Sequence, residues 1–141
     1  MTANLNLKGK CLCGAVKVTG VAKDAKSGAC HCSMCRAWSS GPFMEVVCNE
    51  VSFEGGDNIG RIKSSEWAER GFCKMCGSSL FYQVADSDEY LLSAGLFEDL
   101  SGYEMHLQVF TDERPHYYAL ANETEEMTGA ELFAKFAGPE Q

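Results

Sequence analysis

Apolar and polar positions alternate over short stretches, or β-branched and aromatic residues crowd together, at Ala15-Val-Lys-Val-Thr19, Pro42-Phe-Met-Glu-Val-Val47, Val51-Ser-Phe53, Ser79-Leu-Phe-Tyr-Gln-Val84, Tyr90-Leu-Leu-Ser93 and His106-Leu-Gln-Val-Phe110. A period of two sends successive side chains to opposite faces, so each stretch predicts a strand with a buried side. Gly55-Gly-Asp-Asn58, Asp86-Ser-Asp88 and Thr111-Asp-Glu-Arg-Pro115 fall between them and carry turn chemistry through left-handed tolerance and side-chain-to-backbone hydrogen bonds. The spacing predicts a mainly β chain of antiparallel sheets. Helical signals are confined to a short turn over 33–39 and a C-terminal helix over 128–136, where Thr128 and Glu131 form a capping box and Leu132, Phe133 and Phe136 share an apolar face.

The 141 residues suit a single domain, 1–141, with a core large enough to stand without disulfides. No repeat or low-complexity tract breaks the chain, and its three prolines mark no linker. The opening Met1-Thr-Ala-Asn-Leu-Asn-Leu-Lys8 has no basic segment followed by an apolar one, and no apolar run approaches the ~18 residues of a membrane span. The expectation is a cytoplasmic protein without a membrane partner. A formal net charge of -8 repels phosphate backbones, which argues against nucleic acid as a partner and requires a local basic patch for any anionic substrate.

Eight cysteines change the picture, because in a reducing compartment clustered cysteines bind metal more often than they form stable bridges. They fall as Cys11-Leu-Cys13, Cys30-His-Cys32-Ser-Met-Cys35, a lone Cys48, and Cys73-Lys-Met-Cys76. Two sulfurs one or two residues apart converge on one ion, and two such pairs complete a closed tetrahedral site. Cys11 and Cys13 pair naturally with Cys73 and Cys76, because each pair is followed by a glycine, Gly14 and Gly77, that lets backbone amides turn toward the sulfurs. Cys30, Cys32 and Cys35 offer three sulfurs and no fourth, the arrangement of a catalytic zinc with an open position for water or a substrate thiolate. Two Zn²⁺ per chain, one structural and one catalytic, are the cofactors expected.

Other residues admit more than one use. Cys48 is either a fourth ligand of the second site or an inert buried thiol, and His31 ligates or points away from the sulfurs on either side of it. A disulfide among Cys30, Cys32 and Cys35 is the alternative in an oxidised, metal-free chain. Arg36 and Trp38 border the open cluster, where Arg36 suits a carboxylate and Trp38 an apolar group, or else they are solvated and packed. His106 sits in a strand, residues 114–118 suit a pocket rim, a homodimer contact or plain packing, and the acidic 123–126 reads as a solvated linker.

Gly9-Lys-Cys-Leu-Cys-Gly-Ala-Val16, Cys30-His-Cys-Ser-Met-Cys35 and Phe72-Cys-Lys-Met-Cys-Gly-Ser-Ser-Leu80, with Gly-Asp-Asn at 56–58 and Ser93-Ala-Gly95, resemble the glutathione-dependent formaldehyde-activating enzyme and centromere protein V family over about residues 9–110. The resemblance implies an Mss4-like β-tent, its antiparallel sheets clamped by zinc and followed by a short C-terminal helix. It implies a structural zinc on Cys11, Cys13, Cys73 and Cys76 and a catalytic zinc on Cys30, Cys32 and Cys35. It further implies a carbon–sulfur lyase or synthase acting on a small thiol–aldehyde adduct such as S-hydroxymethylglutathione, with glutathione as the thiol. The rival expectations are a non-catalytic zinc-binding module and a thiol-based redox sensor.

Overall fold

The computed structural model describes residues 3–137, the side chains of 136 and 137 excepted. In chain order its elements are β1 (Asn6–Lys10), β2 (Lys17–Ala22), β3 (Lys26–Cys30), α1 (Ser33–Ser39), β4 (Phe43–Glu54), β5 (Ile59–Lys63), β6 (Ala68–Cys73), β7 (Ser79–Val84), β8 (Tyr90–Ser93), β9 (Glu104–Val109), β10 (Glu125–Met127) and α2 (Gly129–Ala137). The mainly β expectation holds, and α1 occupies the span read from sequence. The separate strands expected at 42–47 and 51–53 are one, β4, whose Glu50 turns to a φ of 49° without breaking it.

Contacts gather into two compact units, Met1–Lys26 with Glu45–Glu104, and Ser27–Met44 with Met105–Gln141. In the first, β1 pairs with β2, β2 with β4, β4 with β8, β8 with β7, β7 with β6 and β6 with β5, every pair antiparallel. The alternation read in the sequence decides what is inside. Val16, Val18, Val46, Leu80, Phe81 and Leu92 are all but sealed from solvent, and the Phe81 ring meets Tyr90 edge-on at 5.0 Å and Phe53 at 5.5 Å. Gly71 stands opposite Phe81 across β6 and β7, and the ring lies where a side chain at 71 would sit. The aromatic thus covers the backbone that the glycine leaves bare.

One carboxylate oxygen of β4 is also buried, beside Val46 in sequence and so on the other face of the strand. Glu45, opposite Ser93, has a fully buried Oε2 with no hydrogen-bond partner, and burial pushes its carboxyl up to about 7, the Asp24 carboxylate adding to the effect. Between the ordinary value of ~4.3 and about 7 the folded chain therefore holds the proton that the unfolded chain has lost, so stability falls as pH rises through that window and levels off above it. Glu45→Gln removes this dependence. Urea midpoints taken at pH 5 and pH 8 are expected to show the native chain losing roughly 2 kcal/mol more than the variant; equal losses would refute the assignment.

The second unit holds β3, β9, β10 and both helices. Two expectations are corrected here. Residues 125–127, which overlap the stretch 123–126 read as a solvated acidic linker, form β10, and β10 runs parallel to β9 with Gln108 opposite Glu126, so the sheet is mixed rather than purely antiparallel. The capping box is present: the Thr128 N–H donates to Glu131 Oε1 at 2.9 Å and the Glu131 N–H to Thr128 Oγ1 at 3.1 Å. Asp112 accepts from the Gly129 N–H, and Phe133 meets Phe110 edge-on at 5.8 Å. The Phe136 side chain lies outside the described residues, and Phe133 keeps 53% of its surface exposed, so the shared apolar face is only partly covered. Among the described residues no helix is long and apolar enough to cross a membrane.

Candidate metal centres

Two turns of the first unit converge. After β1 the chain reverses at Cys11-Leu-Cys-Gly14, where Gly14 takes a φ of 82°, and after β6 it reverses at Cys73-Lys-Met-Cys-Gly77, where Gly77 takes 81°. Left-handed backbone is open to glycine without strain, and it turns amides inward as the sequence predicts. Val16 N–H donates to Cys11 Sγ at 3.3 Å and Ala15 N–H to Cys13 Sγ at 3.4 Å. Ser78 joins the two turns, its Oγ accepting from the Leu12 N–H at 3.1 Å and lying 3.2 Å from Cys76 Sγ.

The four sulfurs lie within 4.8 Å of one another, with Cys11 to Cys13 at 3.7 Å and Cys13 to Cys73 at 3.8 Å. A tetrahedron with metal–sulfur bonds of ~2.3 Å has edges of ~3.8 Å, whereas a disulfide needs ~2.05 Å. All eight cysteines are free thiols. The sulfurs also divide their charge. Cys76 is lowered to about 5 by the Ser78 hydroxyl and amide, while Cys13 is pushed up to about 11: the Ala15 amide works to lower it, but burial and the sulfurs of Cys76, Cys11 and Cys73 outweigh that. Four thiolates cannot coexist here without a compensating cation, and the spacing and donor set fit a thiophilic divalent metal.

The second cluster lies where β3 runs into α1. Cys30 ends the strand, Cys32 caps the helix with its Sγ accepting from the Cys35 N–H at 3.3 Å, and Cys35 is buried one turn on. Their three sulfurs also lie within 4.8 Å of one another. Hydrogen bonds from Cys30 and Cys35 hold Cys32 down at about 2, and the same contacts push Cys30 up. Cys48 joins neither cluster; it is wholly buried in the core of the first unit, and burial pushes its thiol up to about 11.

His31 settles which way the segment faces. Its side chain is fully buried, with Nδ1 2.8 Å from the Tyr118 hydroxyl and Nε2 2.8 Å from Gln108 Oε1. Gln108 gives its amide N–H₂ to Thr124 Oγ1 at 2.9 Å, and its Oε1 also accepts from Arg114 Nη1 at 3.1 Å. That network assigns Gln108 Oε1 as an acceptor, so His31 carries its proton on Nε2 and Nδ1 accepts from Tyr118. Burial lowers the imidazole pKa and keeps the ring neutral. With both nitrogens engaged, His31 is not a ligand; it anchors the strand on the side away from the sulfurs.

Sequence reasoning missed Gln108, Thr124 and Tyr118 as partners of this centre. The available signal was a histidine enclosed by two candidate ligands, which, once buried, needs a polar partner for each ring nitrogen. Trp38 packs on Phe43 at 5.2 Å, and His106 Nδ1 donates to the Ser27 carbonyl, so both have structural roles. Glu113, read only as part of a turn, accepts from the Ser33 N–H at 2.9 Å beside Cys32.

An uncharacterized lyase of Schizosaccharomyces pombe is 35% identical over 127 residues, covering 89% of this chain and 93% of its own. A crystal structure of a Rhodobacter sphaeroides protein superposes with a TM-score of 0.58 at 23% identity, over 70% of this chain and 99% of that one, a likeness of fold. Residues 6–113 match the family described as glutathione-dependent formaldehyde-activating enzyme, a span that holds all eight cysteines, and the chain belongs to that family.

Proposed function

We propose that the protein is a zinc-dependent carbon–sulfur lyase or synthase acting on a small thiol–aldehyde adduct of the S-hydroxymethylglutathione type, with a second zinc clamping the first unit. One observation carries the reading: Cys30, Cys32 and Cys35 converge, the histidine between them is turned away, and among the described residues no fourth His, Cys, Asp or Glu joins the group. Three ligands and a vacancy are what catalytic zinc sites have. Membership of the family and the name of the yeast relative support the same reaction class.

Zinc held there supplies Lewis acidity that ionises a thiol at neutral pH. The rest falls to the protein. The three cysteines fix the ion, and the His31, Tyr118 and Gln108 bonds hold the Cys30–Cys32 segment in place so that all three sulfurs face one way. In the synthetic direction the thiol sulfur bonds to the aldehyde carbon, the carbonyl π pair becomes a hydroxyl, and the thiol proton ends on that oxygen. The lyase direction reverses each change, and nothing is oxidised. The chemistry suits a reducing compartment such as the cytoplasm, where the thiols stay free.

The test uses Co²⁺-substituted protein, whose visible absorption reports the coordination sphere. Glutathione is expected to change the spectrum, and formaldehyde with glutathione to give the S-hydroxymethyl thiohemiacetal faster than in protein-free solution. A spectrum indifferent to glutathione and to other thiols would point instead to a closed, non-catalytic site.

A further inference from the structure

Arg36 is the basic residue of α1 nearest the three sulfurs in sequence. It follows Cys35 directly and lies one helical turn beyond Cys32, whose carbonyl accepts from the Arg36 N–H at 2.9 Å. Helical side chains lean toward the N-terminus of their helix, and here Nε donates to the His31 carbonyl at 3.0 Å. That bond lays the guanidinium along the Cys30–Cys32 segment. The segment is itself immobilised, since both His31 ring nitrogens are bonded. Position and rigidity are therefore both provided, as a binding group requires.

Arg36 also carries a charge, in the last turn of α1. Among the described residues no carboxylate pairs with it, whereas Arg114, the other arginine whose charge reaches His31 and Tyr118, is bonded to Gln108 and paired with Glu126 at 3.4 Å. In a chain of net charge -8 acidic partners are plentiful, so an arginine left without one beside a cysteine cluster is informative. With Nε given to the backbone, the two Nη groups remain as a parallel pair of donors, the end of the fork that matches two carboxylate oxygens.

We propose that Arg36 is the specificity-determining residue of the three-sulfur cluster, selecting thiols that also carry a carboxylate. The inference rests on the reading that a substrate thiol meets this cluster, and adds the class of thiol and the residue that chooses it. It also supplies the local basic group that an anionic substrate needs on an acidic protein.

The experiment compares mercaptoacetate with 2-mercaptoethanol, thiols of similar size that differ in a carboxylate. Each is titrated into Co²⁺-substituted native protein and into the Arg36→Met variant at one pH, with metal content checked at two ions per chain. The preference for mercaptoacetate is expected to be about tenfold larger in the native protein than in the variant, the gain of a charge-assisted fork. Differences in thiol basicity are common to both proteins and cancel. Arg36→Lys, which keeps the charge and loses the fork, is expected to retain part of the preference, and Arg36→Gln replaces the methionine variant if the latter does not hold its metal. An equal preference in native and variant proteins, with both thiols binding, would overturn the role of Arg36 and leave the thiol reading standing. Binding of neither thiol by the native protein would remove both.

Discussion

Cys73→Ser is expected to unfold the first unit or bring it to the edge of unfolding. Cys73 has no exposed surface and lies in the same core as Val16, Leu80 and Phe81, so its sulfur is at once a candidate ligand and a packing atom. Binding a structural zinc supplies roughly 10–16 kcal/mol of folding free energy, against a net stability of about 5–15 kcal/mol for a whole domain. Loss of one of four ligands is therefore expected to cost more than about 5 kcal/mol. It shows as a collapsed urea midpoint and as sensitivity to chelators that the native protein lacks. Met75→Ala is the control: it lies in the same turn, 69% exposed, and is expected to change stability by less than about 0.5 kcal/mol. A Cys73→Ser protein that melts like the native one and ignores chelators would show that the β pairing stands without a clamp.

Cys32→Ser is expected to do the opposite, removing activity while leaving the fold. Cys32 caps α1 through its sulfur, and a serine hydroxyl is among the best N-caps, so the helix keeps its first turn. His31 keeps its bonds to Tyr118 and Gln108, because they lie on the other side of the segment. One of the three converging sulfurs is lost, and two remaining ligands are expected not to hold a metal at that site. Elemental analysis is expected to fall from two zinc ions per chain to one, and thiol–aldehyde turnover by more than about 100-fold, with circular dichroism unchanged. A folded variant with native turnover would remove the cluster from the mechanism.

The two substitutions separate the clusters because the chain uses the same element differently in each. In the first cluster both cysteine pairs are followed by a left-handed glycine and flanked by antiparallel strands, so four sulfurs close around one point. In the second, a strand runs straight into a helix, three sulfurs arise within six residues, and the intervening side chain is tied elsewhere. The glycines and the spacing were legible from residues alone, because a turn that brings two sulfurs together is a local event.

Several strands were not legible. β5, Ile-Gly-Arg-Ile-Lys, and β6, Ala-Glu-Arg-Gly-Phe-Cys, carry glycine and charge where strand signals want β-branched residues. They are strands because partners across the sheet supply what they lack, Phe81 over Gly71 and Phe72 over Gly60. The acidic β10 reads as solvent-exposed chain until β9 lies beside it, and its pairing is then carried by backbone bonds that no side-chain pattern announces.

By itself, then, the sequence determined what depends on neighbours along the chain: the alternating strands around the core, the span of α1, the capping box of α2, and two groups of sulfurs at ligand spacing. Only the tertiary structure decided what depends on residues far apart. His31 meets Tyr118 across 87 positions and Gln108 across 77, which turns a candidate ligand into an anchor. Among the described residues Arg36 meets no carboxylate while Arg114 finds Glu126. A buried polar atom must find a partner wherever the chain brings one, and period and spacing cannot say where that is.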